Sequence, residues 1–214
     1  MRTKTRIFKV NTKSIDRSEI KEIAEILIKN GVIVYPTDTF YGLGVNCFSK
    51  TAVQKIYDLK KRAPFKPLSV VISDLNMLQH IVADIPAVFD PISADFWPGP
   101  LTLVFRASPN LPDKLLGFSD SIGVRLPSHP WLRELLKHID FPLTATSANI
   151  SGEKEAANPE KIIATFMGRV DLIVDAGQTH GVLPSTVVDL VSKKPKILRE
   201  GAIPALKLRK YLDV

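Results

Sequence analysis

Cys47 is the only cysteine in 214 residues, so neither an intrachain disulfide nor a cysteine-based zinc site can be built. His80, His129, His138 and His180 fall at no metal-ligand spacing, and H-E-x-x-H is missing. There is no G-x-x-x-x-G-K-[ST], so a P-loop cannot hold a nucleotide and side-chain cations would have to grip its phosphates. There is no G-x-S-x-G elbow to present a serine nucleophile. No window approaches the length of a membrane span, and the basic start from Met1 to Arg6 lacks the apolar stretch of a signal peptide. Aromatic residues make up only 7% of the chain, and no basic face with stacking aromatics is visible. These absences leave a cytosolic enzyme or binding protein, folded without disulfide or structural zinc, as the expectation.

What is present suits a globular core. Hydrophobic residues reach 45% and charged ones 24%, an ordinary balance for one α/β domain over residues 1–214. The net charge of +7 suggests an anionic partner without separating a nucleotide from an RNA.

Periodicity places the elements. Asp16 followed by Glu19 starts a helix whose stripe is Ile20, Ile23, Ala24, Ile26 and Leu27, with Gly31 closing it. Further helices are expected at about 49–59, 74–81, 87–96, 131–137 and 159–166, the last begun by Asn158-Pro159, and after Pro204. Strands are expected at 32–35, 68–72, 101–105, 122–126, 143–146, 172–174, 186–190 and 197–199, with a glycine turn over 36–44. Helices and strands alternate throughout without repeats, which predicts a single mixed α/β domain. Residues 108–119 and 152–158 read as loops.

Several segments could carry chemistry. Lys60-Lys61-Arg62-Ala63-Pro64-Phe65-Lys66-Pro67 crowds cations onto what the prolines make a stiff turn. A polyanion would relieve their repulsion, with Arg62 and Lys66 best placed and Lys60 next. Pro36-Thr37-Asp38-Thr39 to Gly44 follows a strand and either builds a ligand crevice or fastens its own turn. Arg125 interrupts an apolar strand and therefore needs a partner, either a ligand carboxylate or one of the chain's 22 acids. Ser147 and Asn149 could face sugar or phosphate oxygens, or cap local structure. Ser185 opens one strand and Arg199 closes another.

In this order, YPTDTFYGLG, KKRAPFKPLSV, WPGPLTLVF, IGVRLPSHP, PLTATSANISG, PSTVVDL and ILREGA resemble the YrdC-type family of threonylcarbamoyl-AMP synthases, from Tyr35 to Ala202. The resemblance implies a twisted open mixed sheet with flanking helices around a basic cavity. It implies that L-threonine, bicarbonate and ATP with Mg²⁺ give threonylcarbamoyl-AMP and pyrophosphate. A partner transferase complex then modifies adenosine 37 of tRNA, which could itself contact the protein. It also assigns residues: Thr39, Ser121, Arg125 and Ser185 around threonine; Lys60, Arg62, Lys66, Ala145, Ser147, Asn149 and Arg199 around ATP. No metal ligands follow from it. One departure stands out, because Ser69-Val70-Val71-Ile72 lacks a histidine that some members carry near the amino acid. The chain also stops soon after the last motif, so the C-terminal domain of longer members is expected to be absent. The competing expectations are a non-catalytic RNA-binding module and a paralogue with different carbamoyl chemistry.

Overall fold

The computed structural model describes residues 4–12, 14–179 and 181–212; His180, considered above for metal spacing, lies outside them. The strands divide between two mixed sheets where the sequence suggested one. The first has the order β1 (Arg6–Lys9), β9 (Leu172–Asp175), β2 (Ile33–Tyr35), β3 (Gly42–Gly44), β8 (Thr146–Ser147). The second runs β11 (Lys196–Arg199), β10 (Thr186–Asp189), β5 (Leu101–Arg106), β6 (Ser121–Arg125), β4 (Val70–Val71), β7 (Leu143–Thr144). Side chains alternate across each strand, and the two faces have separate uses. Val34 and Leu43 of the first sheet meet Val70, Leu103, Val124 and Val188 of the second in the larger core cluster. Ile33, Tyr35, Val71 and Leu172 point the other way, into a smaller cluster covered by helices α1 (Arg17–Ile28) and α5 (Pro130–Ile139).

Local chemistry accounts for the helices. Asp16 caps α1 by accepting from Ser18 N at 2.7 Å. Ser49 caps α2 (Lys50–Lys60) through Ala52 N, and Asn158 caps α6 (Pro159–Phe166) through Lys161 N. Asp74 caps the short α3 (Leu75–Gln79), while α4 (Phe89–Phe96) has no side-chain cap. His129 caps α5 by accepting from Leu132 N at 3.4 Å, so it serves the fold. That helix buries Trp131, Leu132, Leu135 and Leu136 completely, each stabilising by roughly 1.5–3 kcal/mol. Helix α7 (Ala205–Leu212) follows Pro204 as expected.

Four expectations are corrected. Asn30, at φ 61°, takes the left-handed turn after α1 in place of Gly31; Gly31 is needed because a Cβ there would sit 2.4 Å from the Ile26 side chain. The predicted glycine turn is shorter, because Gly42 to Gly44 form β3, antiparallel to β2. The glycines let the Tyr35 ring lie across β3, where a Cβ at Gly44 would come within 2.6 Å of it. The single strand expected at 143–146 breaks at Ala145, since β7 pairs in one sheet and β8 in the other. Exposed β1 was not anticipated, having no apolar alternation to announce it.

Candidate active site

On the second sheet, Leu101, Leu103, Ile122, Val124 and Val188 face the main core. Period two therefore turns Thr102, Gly123, Arg125 and Val187 to the opposite face. A cavity of about 210 Å³ opens there. Gly123 has room only for hydrogen, since a Cβ would come 2.7 Å from Ser69 Oγ and 3.2 Å from Thr102. The 37–42 segment, Ser69, the Ala145 to Ser147 crossover and the 184–187 segment complete the wall, with Arg62 and Arg199 among the lining residues.

Arg125 is 7% exposed and has one of the chain's acids as its partner. It pairs with Asp38 and still lines the cavity. Its Nε donates to Gly99 O at 3.0 Å and its Nη1 to Thr39 Oγ1 at 3.1 Å. Two guanidinium nitrogens thus donate hydrogen bonds, and the third, Nη2, is buried against the Asp38 carboxylate as an ion pair. Thr37 is the fastener of this turn, donating to Phe40 O at 2.7 Å and accepting from Thr39 N at 3.0 Å. Ser128 Oγ donates to the other Asp38 oxygen at 3.0 Å. Burial pushes the Asp38 carboxyl up, but Arg125 and then Ser128 more than offset this and hold it below the usual carboxylate value.

The other two arginines are held by main chain. Arg62 donates from Nε to Lys66 O at 3.2 Å and from Nη2 to Pro67 O at 2.8 Å. Arg199 donates through Nε and Nη2 to Ser185 O, and through Nη2 to Ser185 Oγ at 3.2 Å. Ser185 Oγ also lies 2.9 Å from Thr102 Oγ1. Behind this corner, Thr186 Oγ1 accepts from Gly201 N and Ile203 N, fixing the turn that follows Arg199. Burial lowers the pKa of both Arg62 and Arg199, and the Arg125 charge lowers Arg199 further. These are cations with their edges positioned and their charge unneutralised by direct pairing, the condition an anion relieves.

Seven anticipated residues, Thr39, Arg62, Arg125, Ala145, Ser147, Ser185 and Arg199, line this one cavity. Lys60, Lys66, Ser121 and Asn149 do not. The cation run is split by its own geometry: Lys60 ends α2, Lys61 turns left-handed at φ 51°, and Lys66 points to solvent. Lys60 is 1% exposed; its ammonium donates to Ser147 O and, at 2.7 and 2.9 Å, to Asn149 O and Oδ1. It is a clamp on the 147–149 segment, and three acceptors match the three N–H groups of an ammonium. Burial, then the Arg62 charge, pull its pKa to about 7. Asn149 holds the wall from behind, accepting from Ser147 Oγ at 2.7 Å. Ser121 lies at the far end of β6, paired with Arg106.

Sequence reasoning missed Asp38, Tyr35, Ser69, Thr102 and Glu155. The need of Arg125 for a counter-charge was the available signal for Asp38. Where a histidine was noted as missing, Ser69 and Val71 form the wall. Among the described residues, no group of three or more His, Cys, Asp or Glu could hold a metal ion, and no helix is long and apolar enough to cross a membrane.

The family model Sua5_yciO_yrdC, described as "Telomere recombination", matches residues 25–201. A threonylcarbamoyl-AMP synthase from Pyrococcus abyssi is 33% identical over 198 residues, which are 92% of this chain and 58% of that protein. A putative threonylcarbamoyl-AMP synthase from Methanocaldococcus jannaschii is 35% identical over 212 residues, covering 97% of this chain and 99% of the relative. The crystal structure of P. abyssi Sua5 complexed with L-threonine superposes with a TM-score of 0.93 at 32% identity, covering 97% of this chain and 61% of that one. The chain thus spans about three fifths of the length of the Pyrococcus protein and nearly all of the Methanocaldococcus one.

Proposed function

The chain belongs to the Sua5/yciO/yrdC family, and from that premise we propose that its cavity makes threonylcarbamoyl-AMP and pyrophosphate from L-threonine, bicarbonate and ATP. The observation that carries this reading is the meeting of Arg62, Arg125 and Arg199 in one cavity also lined by threonine and serine hydroxyls. The complex of the Pyrococcus relative with L-threonine supports the amino-acid half.

The Arg125 guanidinium, held in place by Gly99 O, Thr39 and Asp38, takes the threonine carboxylate. Ser185 and Thr39 hydroxyls border the same spot. The threonine nitrogen attacks bicarbonate carbon, releasing water and giving a carbamate. A carbamate oxygen then attacks the α-phosphorus of ATP, a new P–O bond forms, and the bond to pyrophosphate breaks. Arg62 and Arg199 neutralise the phosphate charge through their unengaged N–H groups. The chemistry asks for placement and charge stabilisation, not for a protein nucleophile. That agrees with a cavity lined by arginines and hydroxyls. Mg²⁺ bound to the triphosphate would add to the charge neutralisation that Arg62 and Arg199 provide and would ask for few protein ligands. The adenylate passes to a partner transferase acting on adenosine 37 of tRNA.

Pyrophosphate release with ATP and bicarbonate, assayed with and without L-threonine, tests this. The proposal expects release only when threonine is present. Threonine-independent release points to a different carbamoyl acceptor. No release, together with RNA affinity that falls steeply with salt, points to a binding module.

A further inference from the structure

We propose that Glu155 is the protein's own contact with the divalent cation that enters with ATP, an inference that rests on the reading above. Glu155 is the one acid among the described residues that line the cavity. Its carboxylate makes neither a hydrogen bond nor an ion pair within the described residues. Of the neighbouring cations, Lys60 is committed to the carbonyls of Ser147 and Asn149, and Arg199 is tied along one edge to Ser185. Glu155 nevertheless lies close enough for its charge to act favourably on both. A structural acid here would close onto one of them.

The carboxylate is presented by a segment fastened on either side. Asn149 Nδ2 donates to Glu153 O at 2.5 Å before it. After it, Ala156 is 5% exposed and Ala157 O accepts from Thr179 N at 2.9 Å. Asn149 is itself gripped by Lys60, so the carboxylate is placed relative to the phosphate-facing wall. A fixed negative group beside a triphosphate repels it unless a cation lies between them. Mg²⁺ on a nucleotide keeps several waters, uses phosphate oxygens, and asks the protein for only one or two carboxylates. A single, unpaired, positioned carboxylate fits that demand.

The test is calorimetric titration of a non-hydrolysable ATP analogue, with Mg²⁺ or with EDTA at equal ionic strength, into the wild-type protein and Glu155→Gln. The wild type should bind the Mg²⁺ form more tightly than the metal-free form. In Glu155→Gln that preference should shrink by about tenfold, because the metal-free form tightens while the Mg²⁺ form weakens. If both forms tighten by the same factor, Glu155 is only a repulsive charge and the proposal is overturned. Unchanged affinities overturn it equally. A wild-type protein that binds neither form removes the functional reading, and this inference with it.

Discussion

The two sides of the cavity hold their arginines in different ways. Arg125 is buried against a carboxylate, a hydroxyl and a carbonyl. Arg62 is half-buried and Arg199 exposed, and both lean on main-chain carbonyls. A neutralised, rigid guanidinium can select one small carboxylate by geometry. Guanidiniums fixed at one edge and unneutralised suit a polyanion, where charge matters more than shape. The contrast predicts that one side is built into the fold and the other is largely dispensable to it.

The largest effect should come from breaking the built-in side. Arg125→Ala strands the Asp38 carboxylate in a nearly buried site and should cost about 3–5 kcal/mol of stability, read by urea unfolding. A loss below about 1 kcal/mol would mean that the pair behaves as a surface ion pair and the contrast is false. Arg62→Ala should instead spare the fold and lower ATP-dependent turnover by about 10- to 150-fold, the worth of one charge-assisted contact of about 1.5–3 kcal/mol. Wild-type-like kinetics would remove Arg62 from the phosphate side.

Lys60→Met probes the boundary between the two sides. It leaves Ser147 O and Asn149 O without their shared donor and should cost about 1–3 kcal/mol, with weaker nucleotide binding as the wall loosens. The smallest effect is a pH dependence. The native Asp38 pKa lies below its ordinary 3.8, so in acid the unfolded chain binds a proton that the native protein refuses. The stability from this group is complete above the ordinary value and is lost as pH falls through the native one. The stability gap between wild type and Asp38→Asn should therefore narrow on acidification, as followed by urea unfolding from neutral to acid pH. A constant gap would mean that Asp38 gains nothing from its ionised pairing.

Much of this was legible in the chain because it is local. The caps at Asp16 and Asn158, the apolar stripes, and the residue types of the cavity wall are readable from neighbours in sequence. What was not legible is set by register and by how the chain returns on itself. The break at Ala145, where consecutive dipeptides join different sheets, changes no hydropathy pattern. Lys60 and Arg62 stand two residues apart, yet the helix end sends one inward as a clamp and the other to the cavity. Asp38 was one of 22 acids that could have answered Arg125. Glu155 sits in a polar loop with no periodicity to aim it.

The most direct test of the division is titration of L-threonine into wild type, Arg125→Lys and Arg62→Ala, with the fold of each confirmed. Threonine should bind Arg62→Ala as it binds the wild type and should lose most of its affinity for Arg125→Lys, which keeps the charge but not the fork. Equal weakening in both variants would contradict the account, because the cavity would then be one undivided positive field.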